Sequence, residues 1–283
     1  MMICRNRRTR FDAKSLRFLT EQRVEAVSGA GRAWNFAGAR IFLPYMSDVY
    51  VELAADSAGL AAMAAQKILG AAEQAIAVRN TFTIALSGGS TPKILFELLT
   101  TPAYASRIDF SKWEIYFGDE RCVPPDHKDS NFRMASEAML NHVPIPKEHI
   151  HRMRGEIDPQ AAAVEYGQML KARFGDGGID VILLGMGDDG HTASLFPGTA
   201  ALDETHHRCV ANYVPKLSAW RLTMSAPFIN RASAVFALIS GATKRERLVQ
   251  VLHGPRNYKT LPIQMIQPAG AMWWLVDRPA WQI

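Results

Sequence analysis

Residue types suited to chemistry cluster in four short segments of this 283-residue chain. The first is Ser87-Gly88-Gly89-Ser90-Thr91-Pro92, directly after a β-branched run at 81–86. Two glycines permit close approach of a ligand to the backbone, Ser90 or Thr91 can cap a following helix, and Pro92 suits its first turn. Unbonded N–H groups and the positive end of a helix dipole then converge, which is the make-up of a phosphate cradle. The second segment runs from Gly118 through Asp119-Glu120-Arg121 to Pro124-Pro125, with Ser130-Asn131 beyond it. Adjacent charges on a proline-stiffened loop are placed to meet a polar substrate, so Asp119, Glu120, Arg121 and Asn131 are candidates.

The third segment is Gly185-Met186-Gly187-Asp188-Asp189-Gly190-His191-Thr192, continuing to Leu195-Phe196-Pro197. It formally matches G-x-G-x-x-G, a dinucleotide fingerprint. Against that reading, Asp188 and Asp189 lie where a pyrophosphate should approach, and no nearby base offsets their charge. A histidine at a strand-to-helix junction beside an aspartate better suits general base catalysis, because a carboxylate can hold the imidazole in one tautomer and support the cation that forms. Either Asp188 or Asp189 could be that partner. The fourth element is a pair of cations, Arg221 and Lys244, either of which could add charge to a phosphate held by the first loop. Read one at a time, each segment also fits a bland role: a ligand-free turn, a solvated salt bridge, a capping histidine, a surface cation.

The remaining histidines show no H-E-x-x-H ligand pair, and no G-x-S-x-G elbow is present. Cys4, Cys122 and Cys209 are far apart, with no C-x-x-C pair, which predicts neither a zinc site nor a disulfide framework and fits a reducing compartment.

The elements that must position these segments alternate. A strand near 49–53 precedes an Ala-rich helix over 56–79, a strand at 81–86 precedes a helix over 91–99, and a strand is expected at 113–117. Helices over 131–140 and 159–174 follow, then IDVILL at 179–184, nearly all apolar as a strand buried on both faces would be. Strand-like segments near 208–214, 220–224 and 233–240, a helix near 243–253 and a strand near 272–276 complete the chain. Repeated strand-then-helix order predicts an α/β fold with a mostly parallel sheet and helices on both faces, where ligands bind beyond the carboxyl ends of the strands.

Composition bounds the rest. Apolar residues make up 48% and charged residues 21%, ordinary for a globular protein. Charged residues interrupt every apolar stretch before the roughly 18 to 20 residues a membrane helix needs, so a soluble protein without a membrane partner is expected. The pI of about 9.2 could suggest nucleic acid. Yet residues 1–45 hold nine basic and three acidic residues, a net of +6, against 23 basic and 24 acidic in the remainder. The basic character belongs to an N-terminal extension, expected to be a disordered or mis-assigned segment (Met46 is an alternative start), a targeting sequence, or structure that its residue types do not reveal, and no nucleic acid partner is expected. Residues 46–283 read as one domain.

Taken in order, IALSGGSTP, FGDERCVPPDHKDSN, LLGMGDDGHTASLFPGT, VPKLSAWRLTMS and LISGATKRERL resemble the 6-phosphogluconolactonase family, whose fold is shared with the glucosamine-6-phosphate deaminases. The resemblance spans about residues 48–277. It implies a Rossmann-like domain, cytoplasmic hydrolysis of a sugar-phosphate lactone in the pentose phosphate pathway, and no cofactor or metal. It also implies that His191 is the base activating water, that Asp189 orients it, and that Arg121 steadies the lactone oxygen or the nascent carboxylate. Ser87, Gly88, Gly89, Ser90 and Thr91 with Arg221 and Lys244 would hold the phosphate. The deaminase branch typically carries Asn-Glu-Pro where this chain has Leu195-Phe196-Pro197, and Phe196 has no carboxylate for acid/base work. A non-catalytic sugar-phosphate sensor is the reading from another class; it would keep the cradle without needing His191 beside an aspartate.

Overall fold

The computed structural model describes residues 49–281, together with the backbone of two short strands, β1 (Glu25–Ala26) and β2 (Ala39–Arg40). The expectations about the N-terminal extension otherwise lie outside the described residues. From there the chain runs β3 (Val49–Ala54), α1 (Ser57–Arg79), β4 (Phe82–Leu86), α2 (Ser90–Leu99), β5 (Trp113–Phe117) and β6 (Asp119–Arg121). It continues with α3 (Asn131–Ala135), α4 (Pro159–Phe174), β7 (Val181–Leu184), β8 (Cys209–Val214), β9 (Ala219–Met224), β10 (Ala234–Ile239), α5 (Arg245–His253) and β11 (Ala271–Asp277).

Eight strands form the main sheet in the order β1-β2-β3-β11-β10-β7-β4-β5. The six from β3 to β5 are all parallel, while β1 and β2 are antiparallel at the β3 edge. Every residue of β4, β7 and β10 is buried, which explains why β7 and β10 read as unbroken apolar runs instead of alternating ones, while in β4 the one polar residue, Thr83, donates its hydroxyl to Asp180. Capping fixes the helix ends. The Asp56 carboxylate accepts from Gly59 N at 2.8 Å, Asn80 closes α1 in the left-handed region, and Asp158 caps α4.

After β4 the chain winds outward to β5, whereas β7, on the other side of β4, leads to β10 and β11. The carboxyl ends of β4 and β7 therefore flank a topological switch point, where two loops diverge and leave a crevice.

The segments at 208–214 and 220–224 do not join the parallel sheet. They form a separate antiparallel sheet in the order β6-β9-β8, because the short turn after Val214, with Ser218 in the left-handed region, makes a hairpin and hairpin strands are antiparallel. Asp119–Arg121, read as a loop, is itself a strand of this sheet. The helix expected over 131–140 ends at Ala135 and passes into one π-helical turn, Ser136–Leu140.

Candidate active site

Both loops at the switch point, and one face of the small sheet, line a cleft of about 400 Å³. Ser87, Gly88, Gly89, Asp119, Arg121, Asn131, His191, Arg221 and Lys244 all contribute to its walls. Segments as much as 157 residues apart in sequence thus meet at one place, as the reading of a single site requires.

The first loop leaves β4 and turns into α2. Gly89, not Ser90 or Thr91, is the residue preceding the helix; its φ of 107° lies in a region open to glycine. No side chain caps α2, so its first N–H groups keep their capacity to bind an anion. Ser90 is exposed and Thr91 partly so, and neither side chain lines the cleft.

The second loop, after β7, contains no helix before the 3-10 turn Ala200–Asp203. The expected strand-to-helix junction at His191 is therefore a compact turn, held by the Gly190 N to Gly187 O bond at 3.0 Å and the Gly187 N to His191 O bond at 2.9 Å. Without a helix N-terminus there is no dipole to receive a pyrophosphate, which removes the dinucleotide reading of these glycines. Asp189 is the partner of His191: its Oδ1 lies 2.5 Å from Nδ1 and accepts the backbone N–H of His191 at 3.2 Å. Its Oδ2 accepts from Lys216 Nζ at 2.7 Å. Burial works to raise the Asp189 carboxyl, but the hydrogen bonds from Lys216 and His191 outweigh it and hold it well below its ordinary range. The imidazole stacks on Phe196, with centroids 4.0 Å apart and planes 20° from parallel. Gly187 passes so close beneath the ring that a Cβ there would overlap it.

On the small sheet, Arg121 and Arg221 are directly opposite one another in the β6–β9 ladder. Like charges in that position repel. Burial first, and then the neighbouring Arg121, lower the Arg221 guanidinium from its ordinary value. Arg121 Nη1 is held at 2.5 Å by the carbonyl of Asp129. Directly after β6, burial pushes the Cys122 thiol up to about 11, which disfavours a thiolate there.

Glu120 does not reach the cleft. It is 2% exposed, and its carboxylate accepts the backbone N–H groups of Arg121, Asn131 and Phe132 at 2.7–2.8 Å and the Ser130 hydroxyl at 3.0 Å. Its charge is spent bracing the connection from β6 to α3, and that bracing delivers Asn131 and Arg121 to the wall. Asp119 does line the cleft; it accepts from Ser194 Oγ at 2.6 Å and from Asn131 Nδ2 at 3.2 Å. Lys216 and Ser194 were not singled out from sequence. Lys216 stands on the β8–β9 turn, and only the hairpin brings it to Asp189, so no local pattern signals it.

A family model described as glucosamine-6-phosphate isomerases/6-phosphogluconolactonase matches residues 55–274. The chain belongs to this family. One family relative, the 6-phosphogluconolactonase of Nostoc sp. (strain PCC 7120 / SAG 25.82 / UTEX 2576), is 41% identical over 236 residues, covering 81% of this chain and 96% of that protein. The crystal structure of the devB protein superposes with a TM-score of 0.74 at 31% identity, covering 81% of this chain and 98% of the other. The 6-phosphogluconolactonase from Trypanosoma cruzi gives 0.72 at 26% identity, over 81% of this chain and 94% of that one. Among the described residues no helix is long and apolar enough to cross a membrane.

Proposed function

We propose that this cleft hydrolyses 6-phospho-D-glucono-1,5-lactone to 6-phospho-D-gluconate, with His191 as general base. The observation that carries the mechanism is the 2.5 Å contact between His191 Nδ1 and Asp189. With Nδ1 donating to an ionised carboxylate, Nε2 carries the lone pair, the tautomer a general base needs. Nε2 takes a proton from water as its oxygen adds to the lactone carbonyl carbon. The tetrahedral oxyanion then collapses, the ring C–O bond breaks, and the imidazolium returns its proton to the departing ring oxygen. Asp189 supports the imidazolium while it exists, and the Arg121 guanidinium faces the negative charge that grows on the carbonyl oxygen and, once the new carboxylic acid has lost its proton to solvent, the product carboxylate.

The phosphate is held by the turn at Ser87, Gly88 and Gly89, the N–H groups at the start of α2, Arg221 and Lys244. The opposed Arg121 and Arg221 support this reading, since an anion between or beside them relieves their repulsion. Asp119, fixed by Ser194 and Asn131, is an acceptor for a sugar hydroxyl. A lactone is an activated ester, so a general base worth about 100 to 10,000-fold, with oxyanion support and the phosphate as a positioning handle, is sufficient chemistry. Phe196 gives no carboxylate for the acid/base steps of an amino-sugar deaminase. The enzyme works in the cytoplasm on a small sugar phosphate, and residues 1–45 precede a single catalytic domain at 46–283, with β1 and β2 adding to the β3 edge of its main sheet.

The test follows freshly generated lactone with and without enzyme, since only the excess over spontaneous hydrolysis is informative. A large excess that disappears in His191→Ala is expected; ammonia release from glucosamine 6-phosphate without lactone turnover would overturn the assignment.

A further inference from the structure

Asp188 neighbours the carboxylate that holds His191, yet the turn sends its side chain the other way. Its Oδ1 lies 2.5 Å from Lys244 Nζ, and the pair is uneven, with the aspartate side chain 75% exposed and the lysine 25%. The backbone carbonyl of Asp188 accepts from Arg247 Nε at 2.8 Å, so the turn is anchored to α5 whether or not the carboxylate grips the lysine. No hydrogen bond other than the one from Lys244 engages the carboxylate among those described. Asp189 differs: it is three-quarters covered and bonded to both His191 and Lys216.

We propose that Asp188 is a stand-in anion. It occupies the Lys244 ammonium while the cleft is empty and is displaced by the substrate's phosphate, so it sets how tightly substrate and product are held. The inference rests on the phosphate-binding reading of Lys244 given above. An exposed ion pair is worth little and breaks at small cost. A phosphate monoester brings about −1.5 to −2 charges at neutral pH where the carboxylate brings one, so Lys244 gains by the exchange. The displaced carboxylate stays close to the bound phosphate and repels it, which eases release of a product that carries the same phosphate and a new carboxylate.

Removing this charge therefore strengthens binding. In Asp188→Asn the Kd for 6-phosphogluconate, measured by calorimetric titration of the full chain, is expected to fall roughly three- to ten-fold, as a like-charge interaction across several ångströms of water-exposed cleft suggests. KM for the lactone falls with it, and both differences shrink in high salt. Asp188→Glu restores the wild-type values. A gain of affinity is not a result that damage to the turn produces. An unchanged or larger Kd in Asp188→Asn overturns the proposal. If wild type fails to bind 6-phosphogluconate at all, the phosphate reading falls and the proposal with it; if wild type binds it but does not turn over lactone, the assigned reaction fails while the Kd comparison still decides the role of Asp188.

Discussion

His191 and Asp189 are two residues apart, and the turn between them folds the aspartate back so that one carboxylate oxygen meets both the backbone N–H and the ring Nδ1 of the histidine. Asp189→Asn keeps the shape and removes the charge. The amide can present its NH2 to the ring, which stabilises the tautomer with the proton on Nε2, and it no longer supports the imidazolium. Turnover is expected to drop by about 100 to 10,000-fold, while the thermal unfolding transition stays close to wild type. Near-normal kcat would show that the carboxylate is not needed.

Gly187→Ala places a methyl group where the His191 ring lies. The ring must turn or the loop must shift, and a displacement on the order of 1 Å at a catalytic group can cost about 100-fold. Steady-state kinetics should show the loss in kcat more than in KM, because the phosphate grip is built from other segments.

Arg221→Met removes one of the two facing guanidiniums and a cation assigned to the phosphate. A charge-assisted contact is worth about 1.5–3 kcal/mol, so KM is expected to rise by roughly ten- to hundred-fold. The same variant should lose most of the rise in unfolding temperature that 6-phosphogluconate gives to wild type. Removing the repulsion should leave the ligand-free variant no less stable than wild type, and thermal unfolding in the absence of ligand checks that sign.

Outside the cleft lining, Glu114 accepts from Arg173 at 2.8 and 2.9 Å and from Tyr116 at 2.9 Å. Burial acts to raise this carboxyl, but the bonds from Arg173, Tyr116 and Thr81 prevail and bring it down to about 2 from 4.5. A depressed carboxylate contributes its stability fully above the unfolded value and loses it as pH falls through the folded one. Arg173 is 40% exposed, so its loss in Arg173→Met should cost only about 1 kcal/mol at neutral pH. Urea unfolding of both proteins at neutral pH and near the folded value of about 2 tests this, with the difference expected to narrow in acid.

How far the sequence speaks depends on the range over which each feature is encoded. Strand β7 is apolar along its whole length and β4 is interrupted only by Thr83, and α1 and α4 carry their own caps, so these elements and their order are legible locally. The glycine turn after β4 and the nearness of an aspartate to His191 are legible because each lies within a few consecutive residues, whereas the helix expected after His191 is a turn and Ser90 and Thr91 stay off the cleft wall. Glu120 was misread because its partners, Ser130 to Phe132, lie ten to twelve residues on, and only the folded loop shows that its charge is already satisfied. Lys216 was missed for the same reason on a longer scale: its link to Asp189 spans 27 residues and depends on the hairpin of the small sheet. The choice between Asp188 and Asp189 is a matter of turn dihedrals that residue types do not specify.

The cleft is a seam between two sheets with separate obligations. The parallel sheet contributes the backbone turn after β4, the loop after β7 that carries His191, and Lys244 beyond β10, and every residue of its strands β4, β7 and β10 is buried. The three-stranded sheet contributes side chains, Arg121, Arg221 and, from the hairpin turn, Lys216. Reshaping the parallel half disturbs the core that folds the chain, whereas the hairpin half can change its side chains with little consequence for folding. Divergence in substrate preference among proteins of this architecture should therefore accumulate in the hairpin, leaving the parallel half as the inherited frame.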